Sequence, residues 1–200
     1  MSAFDHISSD QITAVILAGG EGSRMGGIDK GLVELDDKPL IEHVIARIEP
    51  QVSRLIISAN RNIDHYQSYG YPLVSDQLRN RGPLAGILSA LQQCQSEWLL
   101  TVPCDTPYIP SDLVSRMRDA MHQTPALLYT ADDGQQLQPL FSMIHRSLTT
   151  SLLDYLASDN RKAALWLTQQ TTIHVDFSDQ AAAFVNINTA EMLMQCSKNS

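Results

Sequence analysis

The stretch ITAVILAGGEGSRMG, residues 12–26, decides the fold. Its first six residues, Ile12–Leu17, are mostly apolar and β-branched, and glycines end the run, which is typical of a short buried strand. After this run, Gly19, Gly20 and Gly22 allow backbone N–H groups to approach an anion without hindrance from a Cβ atom. The stretch therefore predicts a strand that runs into an anion-binding segment, the glycine-rich loop of residues 18–30.

The glycine-rich loop matches neither of two common phosphate-binding motifs. No Gly-Lys-Ser/Thr closes it, so it is not a P-loop, and Gly20, Gly22 and Gly26 follow the spacing G-x-G-x-x-x-G instead of the dinucleotide fingerprint. A tight turn without a ligand stays open as the alternative. Arg24 and Lys30 would by themselves be solvated surface cations, but beside these glycines they favour contact with a triphosphate.

Further strands and helices alternate along the first part of the chain. Apolar runs of strand length occur at 54–59, 71–75 and 98–102, and helical spacing recurs at 39–50, 83–95 and 111–122. This order predicts an α/β fold with a Rossmann-like, mostly parallel, doubly wound sheet.

The second part of the chain is less regular and predicts an α+β arrangement. Strands are expected at 126–130 and 138–142 around the turn Asp132-Asp133-Gly134, with helices near 145–157 and 161–170, strands at 172–176 and 184–188, and a helix from Thr189. Without repeats or linkers, residues 1–200 are predicted to form a single domain. Its nucleotide-binding half would cover about 11–122 and its acceptor-binding half about 123–200.

Composition excludes several classes of protein. The 200 residues carry a net charge of −8 without a basic stripe, which argues against nucleic-acid binding. No apolar run approaches the roughly 20 residues that span a bilayer, and the first residues lack a secretory signal, so neither a membrane nor export is expected. Three cysteines and six scattered histidines show no zinc spacing, and a reducing cytoplasm is the predicted compartment.

Two aspartates follow predicted strands at the edge where open α/β sheets bind ligands. Asp105 lies between Pro103 and Pro107, and a carboxylate held there suits Mg²⁺, although a turn or helix-capping aspartate fits the same pattern. Asp76 follows Ser75, and this pair is also ordinary turn chemistry. Their coincidence with Lys30 and the glycine-rich loop on one sheet edge favours a nucleotide site.

Other polar residues leave two interpretations open. The loop 79–83 would hold phosphate or be a solvated turn. Asn186 and Asn188, one residue apart in an apolar run, would point the same way in a strand, and their amides favour a polar ligand over backbone partners. Cys104 has no evident His or Asn partner and is interpreted as a buried packing residue.

Five separated motifs resemble the molybdenum cofactor guanylyltransferase family, one of the nucleotidyltransferases that share the glycine-rich signature. They are LAGGEGSRMGGIDKG (17–31), Asn60-Arg61, GPLAG (82–86), PCDTP (103–107) and FVNINT (184–189), in the order and spacing of that family over nearly the whole chain. The resemblance implies an enzyme that transfers GMP from Mg-GTP to the phosphate of molybdenum-molybdopterin. It would release pyrophosphate and form the guanine dinucleotide cofactor.

The resemblance also implies roles for individual residues. The GTP contacts would be Leu17, Ala18, Gly19, Lys30, Asp76 and Asp105, joined by Gly20 from the same loop, with Asp105 also the Mg²⁺ ligand. Arg24, Lys30 and Asp105 would be the catalytic residues. Where close members carry Asn, this chain has Ser58, which keeps a donor and an acceptor but is shorter, so its nucleotide contact would be direct or through water.

The acceptor side is expected in the second half of the chain, with Arg161, Lys162, Asn186 and Asn188 as candidates to hold the pterin and its phosphate. Delivery of a labile cofactor implies transient contact with cofactor-biosynthesis or molybdoenzyme-maturation proteins. Two alternatives remain: a nucleotidyltransferase with CTP, ATP or another acceptor, and a nucleotide-binding regulatory protein without catalysis. The presence of both Lys30 and Asp105 argues against the second alternative.

Overall fold

The computed structural model describes residues 11–19, 29–78 and 81–187. In chain order its elements are β1 (Ile12–Leu17), β2 (Glu34–Leu35), β3 (Lys38–Pro39), α1 (Leu40–Ile48), β4 (Arg54–Ser58), α2 (Ile63–Gln67), β5 (Leu73–Val74), α3 (Pro83–Gln93), β6 (Trp98–Pro103), α4 (Leu113–Gln123), β7 (Leu128–Asp132), β8 (Leu137–His145), α5 (Thr149–Ala157), α6 (Ala163–Leu167) and β9 (Thr172–Asp176). Short 3-10 helices cover Lys30–Leu32, Glu49–Gln51, Arg146–Leu148 and Ser178–Phe184.

Seven strands form one sheet in the order β5-β4-β1-β6-β8-β7-β9. The strands β5, β4, β1 and β6 are mutually parallel, whereas β8 pairs antiparallel with both β6 and β7, and β9 is parallel to β7. The sheet is therefore mostly parallel, as the alternation of strands and helices predicts, and the second half of the chain extends the same sheet. A separate hairpin pairs β2 with β3.

Helices cover both faces of the sheet because the strands are apolar on both sides. In β1, Ile12, Ala14 and Ile16 pack into one core with α1 and α4, whereas Val15 and Leu17 pack into a second core with α3, α5 and α6. Alternate residues of a strand point to opposite faces, so one continuous apolar strand supports both layers. Trp98 and Trp166 are buried, one in each core.

Most predicted elements are present, with shifted ends. The helix predicted at 161–170 is shorter, at Ala163–Leu167, and the strand predicted at 138–142 is longer, at Leu137–His145. Asp112 lies at the N-cap of α4 without a side-chain capping bond, because its carboxylate accepts hydrogen bonds from Arg116 and Gln180 instead. The hairpin of β2 and β3 and the five-residue α2 were not predicted.

The prediction of a strand at 184–188 is wrong for its described residues. Phe184 ends a 3-10 helix, and residues 185–187 form no strand. The Ile187 N–H donates to the Asp105 carbonyl oxygen at 2.8 Å, so this segment is joined to the loop after β6 and not to a strand ladder. Asn188 and the helix expected from Thr189 lie outside the described residues. Among the described helices, none has the length and apolarity to cross a membrane.

Candidate nucleotide site at the ends of four parallel strands

Four parallel strands end at the same level, and each is followed two residues later by a residue of interest. The register aligns Val74 with Ser58, Ser58 with Leu17, and Leu17 with Pro103. Counting two residues onward from this row gives, in order across the sheet, Asp76, Asn60, Gly19 and Asp105. The carboxyl edge of an open parallel sheet is where ligands bind. The register therefore brings three predicted nucleotide contacts, and the unpredicted Asn60, onto one edge.

The spacing of the strands separates the two aspartates. Asp76 follows β5 and Asp105 follows β6, with β4 and β1 between them. Because neighbouring strands lie about 4.8 Å apart, these two positions are roughly 14 Å apart. One metal ion therefore does not bridge both carboxylates. An extended ligand such as a nucleoside triphosphate fits the arrangement better, with one end at Asp76 and the other at Asp105.

Lys30 and Asp105 form an ion pair at one end of this edge. The Lys30 Nζ lies 3.2 Å from the Asp105 Oδ2, and the Asp105 side chain is only 10% exposed. The Asp105 carbonyl oxygen accepts the Ile187 N–H, which fixes the backbone that carries the carboxylate. The loop from Pro103 to Pro107 is buried throughout, so the carboxylate is held in a stiff, nearly dry position.

The buried Asp105 carboxylate is costly to ionise even with Lys30 beside it. Burial raises the pKa of the Asp105 carboxyl above its usual value, and the Lys30 ammonium opposes this shift without cancelling it. A second cation at this carboxylate would therefore be favourable. Within residues 11–19, 29–78 and 81–187, no group of three or more His, Cys, Asp or Glu side chains is arranged to hold a metal. Mg²⁺ often takes one or two protein carboxylates and completes its shell with phosphates and water, and Asp105 fits that kind of site.

Asp76 and Asn60 are paired at the other end of the edge. The Asn60 Nδ2 donates to the Asp76 Oδ2 at 2.8 Å, and the Asp76 backbone N–H donates to the Asn60 Oδ1, also at 2.8 Å. Burial raises the pKa of the Asp76 carboxyl, and the bond from Asn60 opposes the shift. The Asp76 Oδ1 is buried, and within the described part of the chain it has no hydrogen-bond partner.

Ser58 lies beneath this edge and not on its surface. Its side chain is buried, and a Cβ atom placed on Gly86 of α3 would lie 2.5 Å from the Ser58 Oγ and 3.3 Å from the Leu17 Cδ2. Gly86 thus lets α3 pack directly on the ends of β1 and β4. The geometry favours a supporting role for Ser58, under the residues that face the ligand, and its predicted nucleotide contact stays a prediction.

Gly86→Ala is expected to lower the free energy of unfolding by about 1–3 kcal/mol, because the added methyl group has no space beside Ser58. Urea unfolding followed by circular dichroism measures the change. The double variant Gly86→Ala with Ser58→Ala removes the closest clash and should be more stable than Gly86→Ala alone. A single variant as stable as the wild type, or a double variant without recovery, would contradict this packing.

Asp29 anchors the end of the glycine-rich loop. Its buried carboxylate accepts the Tyr66 hydroxyl at 2.6 Å and the Asn62 Nδ2 at 2.9 Å, and the Arg61 Nε lies 3.5 Å away. Tyr66 is fully buried on α2, so these contacts tie the residue before Lys30 to the core. The network holds the Lys30 backbone in place while its ammonium reaches Asp105.

The predicted acceptor residues fall into separate places. The Asn186 Oδ1 accepts from the Thr106 Oγ1 at 3.4 Å, which puts Asn186 beside the Asp105 loop. Arg161 is exposed just before α6. Its Nη2 lies 3.5 Å from the Asp159 Oδ1, and Asp159 also pairs with Arg81. The Lys162 carbonyl oxygen accepts the Tyr155 hydroxyl. The contacts of Asp159 join Arg161 to the loop that precedes α3, and Asn188 lies outside the described residues.

Asn60 and Asp29 were not predicted as site residues, and three predicted residues, Gly20, Arg24 and Asn188, lie outside the described part. Asn60 appeared only as part of a family motif, and Asp29 only as the neighbour of Lys30, because their roles depend on contacts between distant segments. An aspartate directly before a lysine at the end of a glycine-rich loop is the local sequence signal that could have identified Asp29. Arg24 and Gly20 lie in the segment 20–28, which the structure does not describe.

Comparison with known proteins identifies the family of the chain. The family of MobA-like NTP transferase domains matches residues 14–173. A molybdenum cofactor guanylyltransferase of Shewanella loihica is 47% identical over 95% of this chain and 97% of its own length. One of Ralstonia pickettii is 43% identical over 94% of this chain and 97% of its own.

A solved structure shares the fold at lower identity. It is the molybdopterin-guanine dinucleotide biosynthesis protein A of Archaeoglobus fulgidus, with a TM-score of 0.77 and 21% identity over 94% of this chain and 97% of that one. At this identity the likeness concerns the fold alone. The sequence relatives match nearly end to end and show the family directly. The chain therefore belongs to the molybdenum cofactor guanylyltransferase family and is a nucleotidyltransferase.

Proposed function

We propose that the protein transfers GMP from Mg-GTP to the terminal phosphate of molybdenum-molybdopterin, releasing pyrophosphate and forming the guanine dinucleotide cofactor. The observation that carries this proposal is the single sheet edge on which Gly19, Asp76 and Asp105 follow aligned strand ends, with Lys30 beside Asp105. The names of the relatives supply the nucleotide and the acceptor.

The chemistry is an in-line attack by an acceptor phosphate oxygen on the α-phosphorus of GTP. The attacking oxygen is already ionised near neutral pH, so no general base is needed and none is assigned. Lys30 and Arg24 supply positive charge to the phosphates, where charge develops in the transition state. Asp105 would hold Mg²⁺, which when bound adds charge neutralisation on the same phosphates.

The protein fixes these charges before the substrate arrives. Lys30 is held by the Asp29 network and Asp105 by its buried loop, so neither group has to be ordered during the reaction. Leu17, Ala18, Gly19 and Gly20 would present backbone groups to the nucleotide, with Asp76 at its other end. Asn186, next to Thr106, is the acceptor candidate that lies beside the Asp105 loop. Arg161 and Lys162, directly before α6, are the candidates away from that loop.

A turnover assay tests the proposal. The protein is mixed with Mg²⁺, molybdenum-molybdopterin and GTP, CTP or ATP in parallel, and pyrophosphate release is followed. We expect release with GTP and only when the acceptor is present. Binding of each triphosphate with Mg²⁺ is measured in parallel, and CTP or ATP bound far more tightly than GTP would contradict the guanylyl assignment. GTP binding without pyrophosphate release would instead favour a regulatory protein of the same fold.

The setting of the reaction follows from its chemistry. A nucleotide and a phosphorylated pterin as substrates make the cytoplasm the expected compartment. The product is labile, so we expect transient contact with proteins that make the cofactor or insert it into molybdoenzymes.

A further inference from the structure

Asn60 contacts residues that follow both of the strands flanking its own. The residues directly after each strand are here called its exit. It leaves β4, which lies between β5 and β1 in the sheet. Toward β5, its amide exchanges two hydrogen bonds of 2.8 Å with the carboxylate and the backbone N–H of Asp76. Toward β1, its Nδ2 donates to the Gly19 carbonyl oxygen at 3.4 Å. One exposed side chain therefore joins three strand ends at the edge where the nucleotide is expected.

We propose that Asn60 is a positioning residue that sets the spacing of Gly19 and Asp76 and thereby controls how tightly the nucleoside triphosphate binds. The inference rests on the proposed function, since it takes this edge as the nucleotide site. It assigns Asn60 no part in the transfer step itself, because the residue lies on the Asp76 side and Lys30 and Asp105 lie beyond β1.

The need for such a residue follows from the structure of the edge. Backbone bonds from the Ala18 and Ala59 N–H groups continue one residue beyond the row of Val74, Ser58 and Leu17. At the next residue along, the Asn60 side chain makes the contacts that join Gly19 and Asp76. At Gly19 the fit is close, because a Cβ atom there would lie 2.8 Å from the Asn60 Nδ2. Only glycine permits this approach. A binding site that is ordered in advance loses less conformational freedom when the ligand arrives.

The Asp76 carboxylate is fixed by the same contacts. Its Oδ2 is bonded to the Asn60 amide, and its Oδ1 is buried toward Gly86, where a Cβ atom would lie 3.4 Å from it. Without Asn60, both the carboxylate and the backbone N–H of Asp76 would lose their partner. The carboxylate would then turn toward water, and within the described residues Gly19 and Asp76 would lose the side chain that joins them.

The first test compares Asn60→Ala with the matched control Ser75→Ala. The Ser75 hydroxyl also links these exits, donating to the Ala59 carbonyl oxygen at 2.9 Å, but this bond involves neither Gly19 nor Asp76. Affinity is measured by calorimetry with Mg²⁺ and whichever of GTP, CTP and ATP the wild type binds most tightly. We expect Asn60→Ala to weaken binding by roughly tenfold, because the ligand must then order the Asp76 carboxylate and the Gly19 backbone as it binds. Ser75→Ala should bind like the wild type. Equal effects of the two variants would overturn the proposal.

Kinetics separates positioning from catalysis. For Asn60→Ala we expect KM for the triphosphate to rise by about the same factor as the dissociation constant, with kcat nearly unchanged. A fall in kcat at constant KM would overturn the proposal, because it would put Asn60 in the transfer step. Using the best-bound triphosphate keeps this outcome separate from a failure of the GTP assignment, which would change the choice of nucleotide and not the effect of Asn60.

Coupling to Asp76 gives an independent readout. If Asn60 acts through Asp76, the double variant Asn60→Ala with Asp76→Ala should bind no more weakly than Asp76→Ala alone. Additive losses would contradict action through Asp76.

If Asn60→Ala proves too unstable for binding measurements, the contact between the two residues is tested by exchanging them, as Asn60→Asp with Asp76→Asn. Asn60→Asp alone places two carboxylates opposite each other, and their repulsion should lower the melting temperature. Adding Asp76→Asn restores an amide opposite a carboxylate and should raise the melting temperature again. No recovery in the exchanged pair would contradict the contact.

Discussion

Asp105→Asn is expected to lower the rate of GMP transfer by about two to three orders of magnitude while the protein stays folded. The amide keeps the size of the side chain and an acceptor for Lys30, but it removes the charge that would hold Mg²⁺ against the phosphates. Loss of one such electrostatic contribution costs about 3–4 kcal/mol of transition-state stabilisation in other enzymes. Pyrophosphate release under saturating GTP measures the effect, and unaltered turnover would refute the metal assignment.

The same variant has a predicted effect on stability with a definite sign. Burial raises the pKa of Asp105 above its usual 3.8, so the folded protein binds this proton more tightly than the unfolded chain does. Ionisation of Asp105 therefore costs stability as the pH rises from about 4 through the folded pKa. Nucleotide-free Asp105→Asn lacks this cost. The free energy of unfolding of Asp105→Asn, relative to that of the wild type, should therefore rise across that pH window and then level off.

Asp112→Asn is the matched control for both measurements. Its carboxylate is bonded to Arg116 and Gln180, and although burial acts in the opposite direction, the hydrogen bonds from these two residues lower its pKa. The wild type therefore gains stability from ionised Asp112 at neutral pH, and the amide should be less stable there. Transfer activity should be unaffected. If Asp105→Asn instead loses stability at neutral pH, as Asp112→Asn should, the ion pair with Lys30 stabilises the ionised Asp105 carboxylate by more than burial destabilises it.

Lys30→Ala is expected to lower transfer by about two orders of magnitude or more, with weaker binding of Mg-GTP. The ammonium would act on phosphate charge that grows in the transition state, in a site where little water screens it. Lys30 also opposes the raised pKa of Asp105, so its removal should raise that pKa further. Kinetics of pyrophosphate release measures the loss of transfer, and calorimetry with Mg-GTP measures the weaker binding.

Lys38→Ala controls for the loss of a lysine as such, because Lys38 is exposed on β3. It should keep full activity. Since Lys30 and Asp105 act on the same phosphates, the double variant Lys30→Ala with Asp105→Asn should lose much less than the product of the two single losses. Unaltered activity in Lys30→Ala, or fully multiplicative losses, would contradict a shared phosphate role.

Much of the fold could be predicted because the strands of the first half are apolar runs with clear ends. Those ends also predicted Asp76 and Asp105, since residues after parallel strands share one edge of a sheet. Register was not accessible from sequence. That Asp76, Asn60, Gly19 and Asp105 lie at the same level depends on pairing between strands that are far apart in the chain.

One wrong prediction and one unexpected placement have a common physical origin. The alternation in Phe184-Val185-Asn186-Ile187 resembles a strand, but a single backbone bond to Asp105 takes the place of a ladder. The structure packs the Ser58 side chain against Gly86, beneath the edge, and the nucleotide contact that the family resemblance implies for Ser58 stays a prediction. In both cases the local sequence pattern singled out the residues. Their placement depends on contacts with segments that are distant in the chain.

A crystal structure with GTP and Mg²⁺ bound would test whether one sheet edge holds the nucleotide between Asp76 and Asp105. We expect the triphosphate along the glycine-rich loop with Lys30 on a phosphate, the metal on Asp105, and the nucleoside toward Asp76 and Asn60. A triphosphate bound away from this edge, or a metal held without Asp105, would contradict it.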